Sequence, residues 1–212
     1  MKVALSILTA DFMKMEESLK EIIHDVDYVH MDIMDGEFVP NISFGPAVVK
    51  SLRPMTEVPF DTHLMIKHPQ NYIKQFAEAG SNYITFHVEA DCDALETINL
   101  IKSYGVKAGI SIKPNTQVSE IEKYLPMLDL VLVMSVEPGF GGQKFMPSAI
   151  DKCKLLKELR EKNNYNYLIS VDGGINDKTL PQIVDYLDLA VSGSYVCNAD
   201  NKKERLDILH NM

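Results

Sequence analysis

The segment YVHMDIMDGEFVPN, residues 28–41, begins with the pattern of a β-strand. Side chains alternate along a strand, so His30 and Asp32 project from one face, roughly 6–7 Å apart, and Met31 and Ile33 from the other. An imidazole beside a carboxylate on an inward-facing surface indicates a site of chemistry. The polar run that follows leaves the strand as a loop, which we expect to cover that site.

Eight short apolar segments of this kind alternate with helical patterns along the chain. Such alternation predicts a parallel sheet, and eight strands can close into a barrel that is filled by side chains. We therefore expect one α/β domain over residues 1–212, a (β/α)8 or TIM barrel. An open doubly wound sheet is the alternative, disfavoured because no GxGxxG motif follows the first strand. The expected strands are 3–8, 28–33, 60–65, 83–88, 107–112, 130–135, 167–172 and 189–193.

Helical patterns fall between these strands. Apolar residues recur at helical spacing over 12–23, and Pro69 is placed to begin a long helix that Gly80 ends. Ser119 is placed to begin another helix, with Glu122 completing a capping box. The further expected helices are 94–104 and 148–163.

Composition excludes several classes of protein. The chain has 212 residues and a net charge of −9 without any block of Lys or Arg, so a nucleic-acid or anionic-membrane partner is not expected. A small anionic substrate remains compatible, because local backbone donors can bind it. The three cysteines, Cys92, Cys153 and Cys197, lack any CxxC spacing, which favours a reduced, cytoplasmic protein. We interpret MKVALSILTADF as a first core strand rather than a signal peptide, and no apolar run has the length of a membrane span.

Reactive residue types collect at the carboxyl ends of the expected strands, where the active site of such a barrel lies. They are Ser6, His30, Asp32, His63, His87, Lys113, Ser135, Glu137, Asp172 and Ser194. His30, Asp32, His63 and Asp172 supply two imidazoles and two carboxylates, a set that suits Zn²⁺, Fe²⁺, Mn²⁺ or Co²⁺. His87 is expected to pack beside this set rather than to be a ligand.

Glycine-rich segments follow the last three strands. They are EPGFGGQKF (137–145), SVDGGIN (170–176) and SGS (192–194). Glycine permits unusual backbone angles and a close approach of the backbone to a ligand. Because the loops after strands seven and eight of such barrels often bind phosphate, we expect a phosphate site here.

Three methionines, Met34, Met65 and Met134, also lie at or near strand ends. Methionine ordinarily fills gaps in a core, which is the simpler interpretation of any one of them. Together they are placed to wall a reaction centre with polarizable, aprotic side chains.

These residues lie in blocks that resemble the ribulose-phosphate 3-epimerase family. The blocks are SILTADF (6–12), VHMDIMDGEFVPNISFGP (29–46), DTHLMI (61–66), FHVEA (86–90), MSVEPGFGGQKF (134–145), VDGGIN (171–176) and SGS (192–194). They occur in family order and span most of the chain. The resemblance implies a TIM barrel that interconverts D-ribulose 5-phosphate and D-xylulose 5-phosphate, a step of the pentose phosphate pathway. It also implies a homo-oligomer and one divalent metal ion, Zn²⁺ or Fe²⁺ before Mn²⁺ or Co²⁺.

Residue roles follow from the resemblance by matched position. His30, Asp32, His63 and Asp172 would be the metal ligands, with Asp32 and Asp172 also the acid–base pair, and Ser6 and His63 would contact substrate. The residues implied around the phosphate end are Gly139, Phe140, Gly141, Gly142, Gly173, Gly174, Gly193 and Ser194, and those around the reacting carbons are Met34, Met65 and Met134. The chain departs from the family pattern at 195–197, YVC, where a small residue and then an aromatic are expected.

The implied reaction explains the need for two carboxyl groups. Inverting C3 removes a proton from one face of the sugar and returns one to the other face. An unperturbed Asp titrates near ~3.9, so one of Asp32 and Asp172 is expected to have a raised pKa, from burial and its like-charged partner.

Two alternatives remain open. An epimerase for a hexulose phosphate such as allulose 6-phosphate shares the barrel and the four ligands. A catalytically silent sugar-phosphate-binding protein is disfavoured, because all four ligand positions are intact. A hydrolase is disfavoured further, because no GxSxG motif occurs.

Overall fold

Eight parallel strands close into one barrel, in chain order, in the computed structural model, which describes residues 1–212. The first strand pairs with the eighth, so the sheet has no free edge and the expected TIM barrel is confirmed over the open sheet. The strands are β1 (Lys2–Ser6), β2 (Tyr28–Met34), β3 (Phe60–Met65), β4 (Tyr83–His87), β5 (Lys107–Ile112), β6 (Leu130–Met134), β7 (Leu168–Asp172) and β8 (Leu189–Ser192). Each strand end lies within two residues of its expected position.

Seven α-helices accompany the strands. They are α1 (Met15–Lys20), α2 (Pro46–Leu52), α3 (Ile73–Glu78), α4 (Ala94–Ser103), α5 (Ser148–Asn163), α6 (Ser194–Cys197) and α7 (Lys202–His210). Helix α5 has the expected bounds, and α4 ends one residue early. None of the helices combines the length and apolar character that a membrane-spanning helix requires.

The prediction of an α-helix that begins at Ser119 is wrong. Residues Val118–Glu120 and Glu122–Met127 form 3-10 turns, and no side chain caps either turn. Pro126 lies inside the second turn, where it lacks the N–H that a regular α-helix would use. The expected capping box of Ser119 and Glu122 therefore does not form.

The helices expected over 12–23 and after Pro69 are shorter than predicted. A 3-10 turn, Phe12–Lys14, precedes α1, and another, Pro69–Asn71, precedes α3. The apolar pattern was nevertheless informative, because Leu19 and Ile22 are buried in the core. The periodicity predicted the buried face correctly at Leu19, Ile22 and Ile23, but it was wrong at Phe12, which is 53% exposed, and wrong about the length of regular helix.

The barrel interior is apolar at its amino-terminal end. Tyr28 and Tyr83, the first residues of their strands, pack edge to face there with ring centroids 5.7 Å apart. A separate and larger apolar core lies between the strands and the helices. Among the buried polar side chains of β2 and β3, Asp32 and His63 lie in the carboxyl halves of their strands, whereas Asp61 is the second residue of β3.

The register of β2 against β3 aligns the polar residues of the two strands. His30 pairs with Asp61, and Asp32 pairs with His63. Paired residues of neighbouring strands point to the same face of a sheet, so each imidazole lies beside a carboxylate. All four side chains are buried, which makes this pair of strands the foundation of the site described next.

Candidate active site

Four side chains converge at the carboxyl end of the barrel. His30, Asp32, His63 and Asp172 each offer one ligand atom, and these atoms lie within 4.8 Å of one another. They come from β2, β3 and β7, and only Asp172 is partly exposed. The structure therefore brings together the complete ligand set that the sequence predicted.

Asp32 is at the centre of this cluster. Its Oδ1 lies 3.3 Å from Nε2 of His30 and 3.2 Å from Nδ1 of His63. Its Oδ2 accepts a hydrogen bond of 2.6 Å from Oγ of Ser6. One carboxylate oxygen is thus held by a hydroxyl, while the other faces two ring nitrogens.

His30 is oriented by a carboxylate that the sequence analysis missed. Nδ1 of His30 lies 2.8 Å from Oδ2 of Asp61, which is fully buried and also accepts from Oγ1 of Thr85 at 3.3 Å. Because a carboxylate can only accept, Nδ1 carries the proton of this contact. The available signal was the place of Asp61 two residues before His63 on one strand face.

The remaining nitrogen of His30 tests whether a metal ion fits. Nε2 is buried and has no hydrogen-bond partner, although it faces the carboxylate of Asp32. Burial would lower the pKa of His30, but the charges of Asp32 and Asp61 outweigh burial and hold the pKa well above its usual value. The surroundings therefore favour positive charge at this point, and imidazole and carboxylate donors suit a divalent ion.

The two catalytic candidates differ in their electrostatics. Burial raises the pKa of Asp172 to about 6, and the negative charge of Asp32 adds to the effect. Burial also opposes ionisation of Asp32, but His30 and His63 overcome it and lower the pKa of Asp32. Asp172 is thus the carboxyl group of the pair that holds a proton more readily.

His63 contacts a second histidine on the side away from Asp32. Its Nε2 lies 2.9 Å from Nε2 of His87, whose Nδ1 lies 3.1 Å from Oε2 of Glu89. Burial lowers the pKa of His87 to about 4, so this imidazole is neutral near pH 7. Burial alone would raise the pKa of Glu89, but hydrogen bonds, first that of His87, lower it to about 2. The sequence analysis did not single out Glu89, although it follows His87 at strand-like spacing.

A cavity of about 500 Å³ opens above the cluster, within the range of small-molecule sites. Ser6, Asp32 and Asp172 contribute to its wall, as do the three methionines, which are almost completely buried. The residues predicted around the phosphate end also line it: Gly139, Phe140, Gly141, Gly142, Gly173, Gly174, Gly193 and Ser194. Every residue predicted to bind the substrate or to surround its reacting carbons therefore lines this one cavity, except the buried His63.

Glycine is required at one position of this wall. Gly174 has a φ of +65°, and a Cβ atom built on it would lie 2.5 Å from the backbone nitrogen of Phe145. A side chain there would both strain the backbone and collide with the neighbouring loop. The glycine pair after β7 thus lets two backbone segments meet at the cavity.

The departure at residues 195–197 leaves the cavity wall intact. Val196 is fully buried, and Tyr195 lines the cavity while Arg205 lies over its ring, 5.2 Å from the centroid. Cys197 is near the backbone oxygen of Ser6, at 3.6 Å from Sγ. The three side chains therefore pack behind and beside the glycine loop of β8.

Comparison with known proteins finds one family. The profile of the Ribulose-phosphate 3 epimerase family matches residues 2–197. The ribulose-phosphate 3-epimerase of Treponema pallidum is 46% identical over 193 residues, which cover 90% of this chain and 88% of that protein. That of Bacillus subtilis is 45% identical over 208 residues, covering 97% and 96%. That of Helicobacter pylori is 38% identical over 213 residues, covering 100% and 98%.

Solved structures of low sequence identity share the fold. KGPDC from Streptococcus mutans superposes with a TM-score of 0.74 at 12% identity, over 99% of this chain and 95% of that chain. The 3-hexulose-6-phosphate synthase from Salmonella typhimurium superposes with a TM-score of 0.72 at 18% identity, over 100% and 97%. At such identities the likeness concerns the barrel alone.

Proposed function

The chain belongs to the ribulose-phosphate 3-epimerase family, and on that premise we propose how its own residues carry out the epimerase reaction. The enzyme is an epimerase that acts on a phosphorylated ketose. We infer that the substrate pair is D-ribulose 5-phosphate and D-xylulose 5-phosphate. The observation that carries this inference is the convergence of Asp32 and Asp172 on one cavity that glycine loops also line.

Asp32 and Asp172 are suited to exchange the proton at C3. The C3–H bond of a 2-ketose is acidic because the resulting carbanion delocalises onto the C2 carbonyl as an enediolate. The two aspartates come from β2 and β7, which are separated by β1 and β8 in the barrel, so they can approach the sugar from different sides. In one direction Asp32 removes the proton and Asp172 delivers one to the opposite face, and the roles exchange in the reverse direction.

We propose that His30, Asp32, His63 and Asp172 bind one divalent metal ion. Such an ion supplies Lewis-acid stabilisation of the negative charge that develops on the oxygen at C2. The donor set of two imidazoles and two carboxylates favours Zn²⁺ or Fe²⁺, with Mn²⁺ and Co²⁺ as alternatives. Ser6, which donates to Asp32, keeps that carboxylate in a single orientation toward the cluster.

The other residues of the cavity bind and enclose the substrate. We assign the phosphate group to the wall formed by the glycine segments, where the backbone can approach an anion closely. We assign the reacting carbons to the wall formed by Met34, Met65 and Met134, whose side chains carry no exchangeable protons. Enclosure by these groups keeps water away from the enediolate and limits side reactions.

The length of the sugar separates the two epimerase candidates. A cavity of about 500 Å³ has room for a pentose or a hexulose phosphate, and the names of the relatives favour the pentose. Parallel assays with D-ribulose 5-phosphate and allulose 6-phosphate, on the same metal-loaded protein, compare the two values of kcat/KM. A clear preference for the pentose supports the proposal, and a preference for the hexulose overturns it.

We also propose a homo-oligomer in the cytoplasm. Phe12, Ile42 and Phe140 are exposed apolar residues that line one shallow depression beside the cavity, a surface suited to a second copy. All three cysteines are free, as expected of a reducing compartment. Light scattering that finds only monomers at micromolar concentrations would contradict the first proposal, and membrane or extracellular fractionation the second.

A further inference from the structure

A chain of three close contacts leads away from the metal ligands. Nδ1 of His63 lies 3.2 Å from Oδ1 of Asp32, and its Nε2 lies 2.9 Å from Nε2 of His87. Nδ1 of His87 then lies 3.1 Å from Oε2 of Glu89. The chain thus has a carboxylate at each end and two imidazoles between them.

Counting protons shows that this chain cannot be satisfied throughout by hydrogen bonds. A neutral imidazole has one N–H group, and an ionised carboxylate has none. Two protons are therefore available for three contacts, so one contact contains two facing electron pairs. That contact can be any of the three. Both imidazoles can donate outward to the carboxylates and leave the two Nε2 atoms facing each other, or one imidazole can donate to the other and leave the contact at Asp32 or at Glu89 without a proton.

The surroundings of Glu89 exclude the arrangement in which the contact between His87 and Glu89 lacks a proton. Its Oε1 accepts from the backbone N–H of Lys113 at 2.7 Å, and Nζ of Lys152 donates to the carbonyl oxygens of Lys113 and Pro114 at 2.8 and 2.7 Å. This segment is therefore fixed, and it aims Oε2 at Nδ1 of His87. A proton at that position is required, since the carboxylate offers only acceptors.

The carboxylate oxygens of Asp32 have partners other than His63. Its Oδ2 already accepts from Ser6, and its Oδ1 is shared between His30 and His63. A cation held by Asp32 and the two imidazoles would satisfy a contact that lacks a proton. A metal ion on Nδ1 of His63 would exclude a proton there, so the arrangement with the proton-free contact at Asp32 is the one that serves both the ion and Glu89.

We propose that Glu89 is a positioning residue that acts on the metal site through His87. It keeps the His87 proton on Nδ1, so His87 accepts from Nε2–H of His63 and leaves Nδ1 of His63 unprotonated toward Asp32. A metal ligand must present such a free electron pair, and its other nitrogen must donate elsewhere. Asp61 acts on His30 by one direct contact, whereas Glu89 acts on His63 across two. This inference rests on the proposed metal site.

Glu89→Gln is the decisive variant because it keeps the shape of the side chain and reverses the direction of the hydrogen bonds between residue 89 and Asp32. The amide oxygen is expected to accept from the Lys113 N–H, which turns the amide NH₂ group toward Nδ1 of His87. His87 then carries its proton on Nε2, and His63 carries its proton on Nδ1, where it donates to Asp32. In the metal-free variant a proton lies in each of the three contacts, but the proton on Nδ1 of His63 prevents this nitrogen from binding a metal ion.

Zinc affinity, measured by competition with a chelator, is expected to fall roughly 10- to 100-fold in Glu89→Gln. Glu89→Ala removes the preference of His87 for a proton on Nδ1 without creating the opposite preference. Its zinc affinity is therefore expected to lie between those of the parent and Glu89→Gln. A purely structural role for Glu89 predicts the opposite order, because Gln preserves the bond to Lys113 and Ala does not. Glu120→Gln removes one negative charge from an exposed position and is the matched control, expected to bind zinc as the parent does.

Nitrogen-15 NMR of the histidine side chains measures the tautomer of each imidazole and so tests the proposal without measuring activity. In the zinc-loaded parent, His87 is expected to be protonated on Nδ1 and His63 on Nε2, and in metal-free Glu89→Gln both are expected to have the opposite tautomer. Protonation of His87 on Nε2 in the zinc-loaded parent would overturn the proposal, as would unchanged tautomers in Glu89→Gln. If the parent binds no zinc, the metal site itself fails, and the tautomers of the metal-free proteins still test the chain.

Discussion

Oγ of Ser6 donates a hydrogen bond of 2.6 Å to Oδ2 of Asp32, and this contact determines which oxygen of the carboxylate faces His30 and His63. Ser6 is the last residue of β1, and the parallel register places it directly beside His30 of β2. A hydroxyl at a strand end thus orients the base of the neighbouring strand. The proposed reaction depends on this orientation, because a rotated carboxylate would turn its free oxygen away from the cluster.

Ser6→Ala is expected to lower kcat by about 10-fold or more, the equivalent of one hydrogen bond to a charged group. Ser170→Ala is the matched control, since Ser170 is also a buried serine of a barrel strand and its Oγ has no hydrogen-bond partner. Steady-state kinetics on both variants make the comparison. Equal losses in the two variants would show that Ser6 acts only through packing.

Asp32→Asn and Asp172→Asn are each expected to lower epimerase turnover by at least about 10²-fold, the lower range for loss of a general acid or base. Each variant retains one aspartate, so it is expected to exchange the C3 proton of only one epimer with solvent. Exchange in D₂O, measured separately from ribulose and xylulose 5-phosphates, tests this directly. Asp207→Asn, at an exposed position of α7, is the control and is expected to retain activity. Substantial turnover in either active-site variant would refute the two-acid scheme.

The glycine wall is tested by Gly193→Ala. A Cβ atom at this position would lie 3.2 Å from Cβ of Ser6, so the loop after β8 must shift slightly. We expect a several-fold rise in KM and a weaker inhibition by inorganic phosphate, with a smaller change in kcat. Gly45→Ala places its methyl group in open space and is expected to change neither value. An unaltered KM in Gly193→Ala would argue that the phosphate lies elsewhere.

The four side chains of the cluster could be predicted from the sequence because each has a local signal. His30 and Asp32 alternate on one strand, His63 lies near the end of the next strand, and Asp172 ends β7. Their supporting residues lack such a signal. Asp61 depends on the register of β2 against β3, and Glu89 depends on a backbone N–H contributed by the end of β5, and neither can be read from one segment.

The errors in the predicted helices have a similar origin. Apolar spacing over 12–23 reports which residues face the core, but a chain in 3-10 turns can present the same residues. The segment 118–127 also contains Pro126, which interrupts regular hydrogen bonding. Long, regular α5 had the expected bounds because no proline or tight turn interferes within it.

Stability at acid pH tests the ionised state of Glu89. The pKa of Glu89 falls from an ordinary 4.5 to about 2 in the fold, so the unfolded chain binds more protons than the native chain between these values. The stability that ionised Glu89 contributes is therefore complete above about pH 4.5 and is lost as pH falls toward 2. Glu89→Gln does not titrate in this range. We expect the free energy of unfolding of the metal-free parent, relative to Glu89→Gln, to decrease from pH 6 to pH 3 in urea titrations, and a constant difference would contradict this.

The most direct test of the proposed epimerisation is ¹H NMR of D-ribulose 5-phosphate with the zinc-loaded protein in D₂O. We expect the H3 signal to disappear and the signals of xylulose 5-phosphate to appear, because proton removal at C3 and return to the opposite face occur in one site. Neither exchange nor product, with the protein folded and zinc bound, would contradict the assigned reaction.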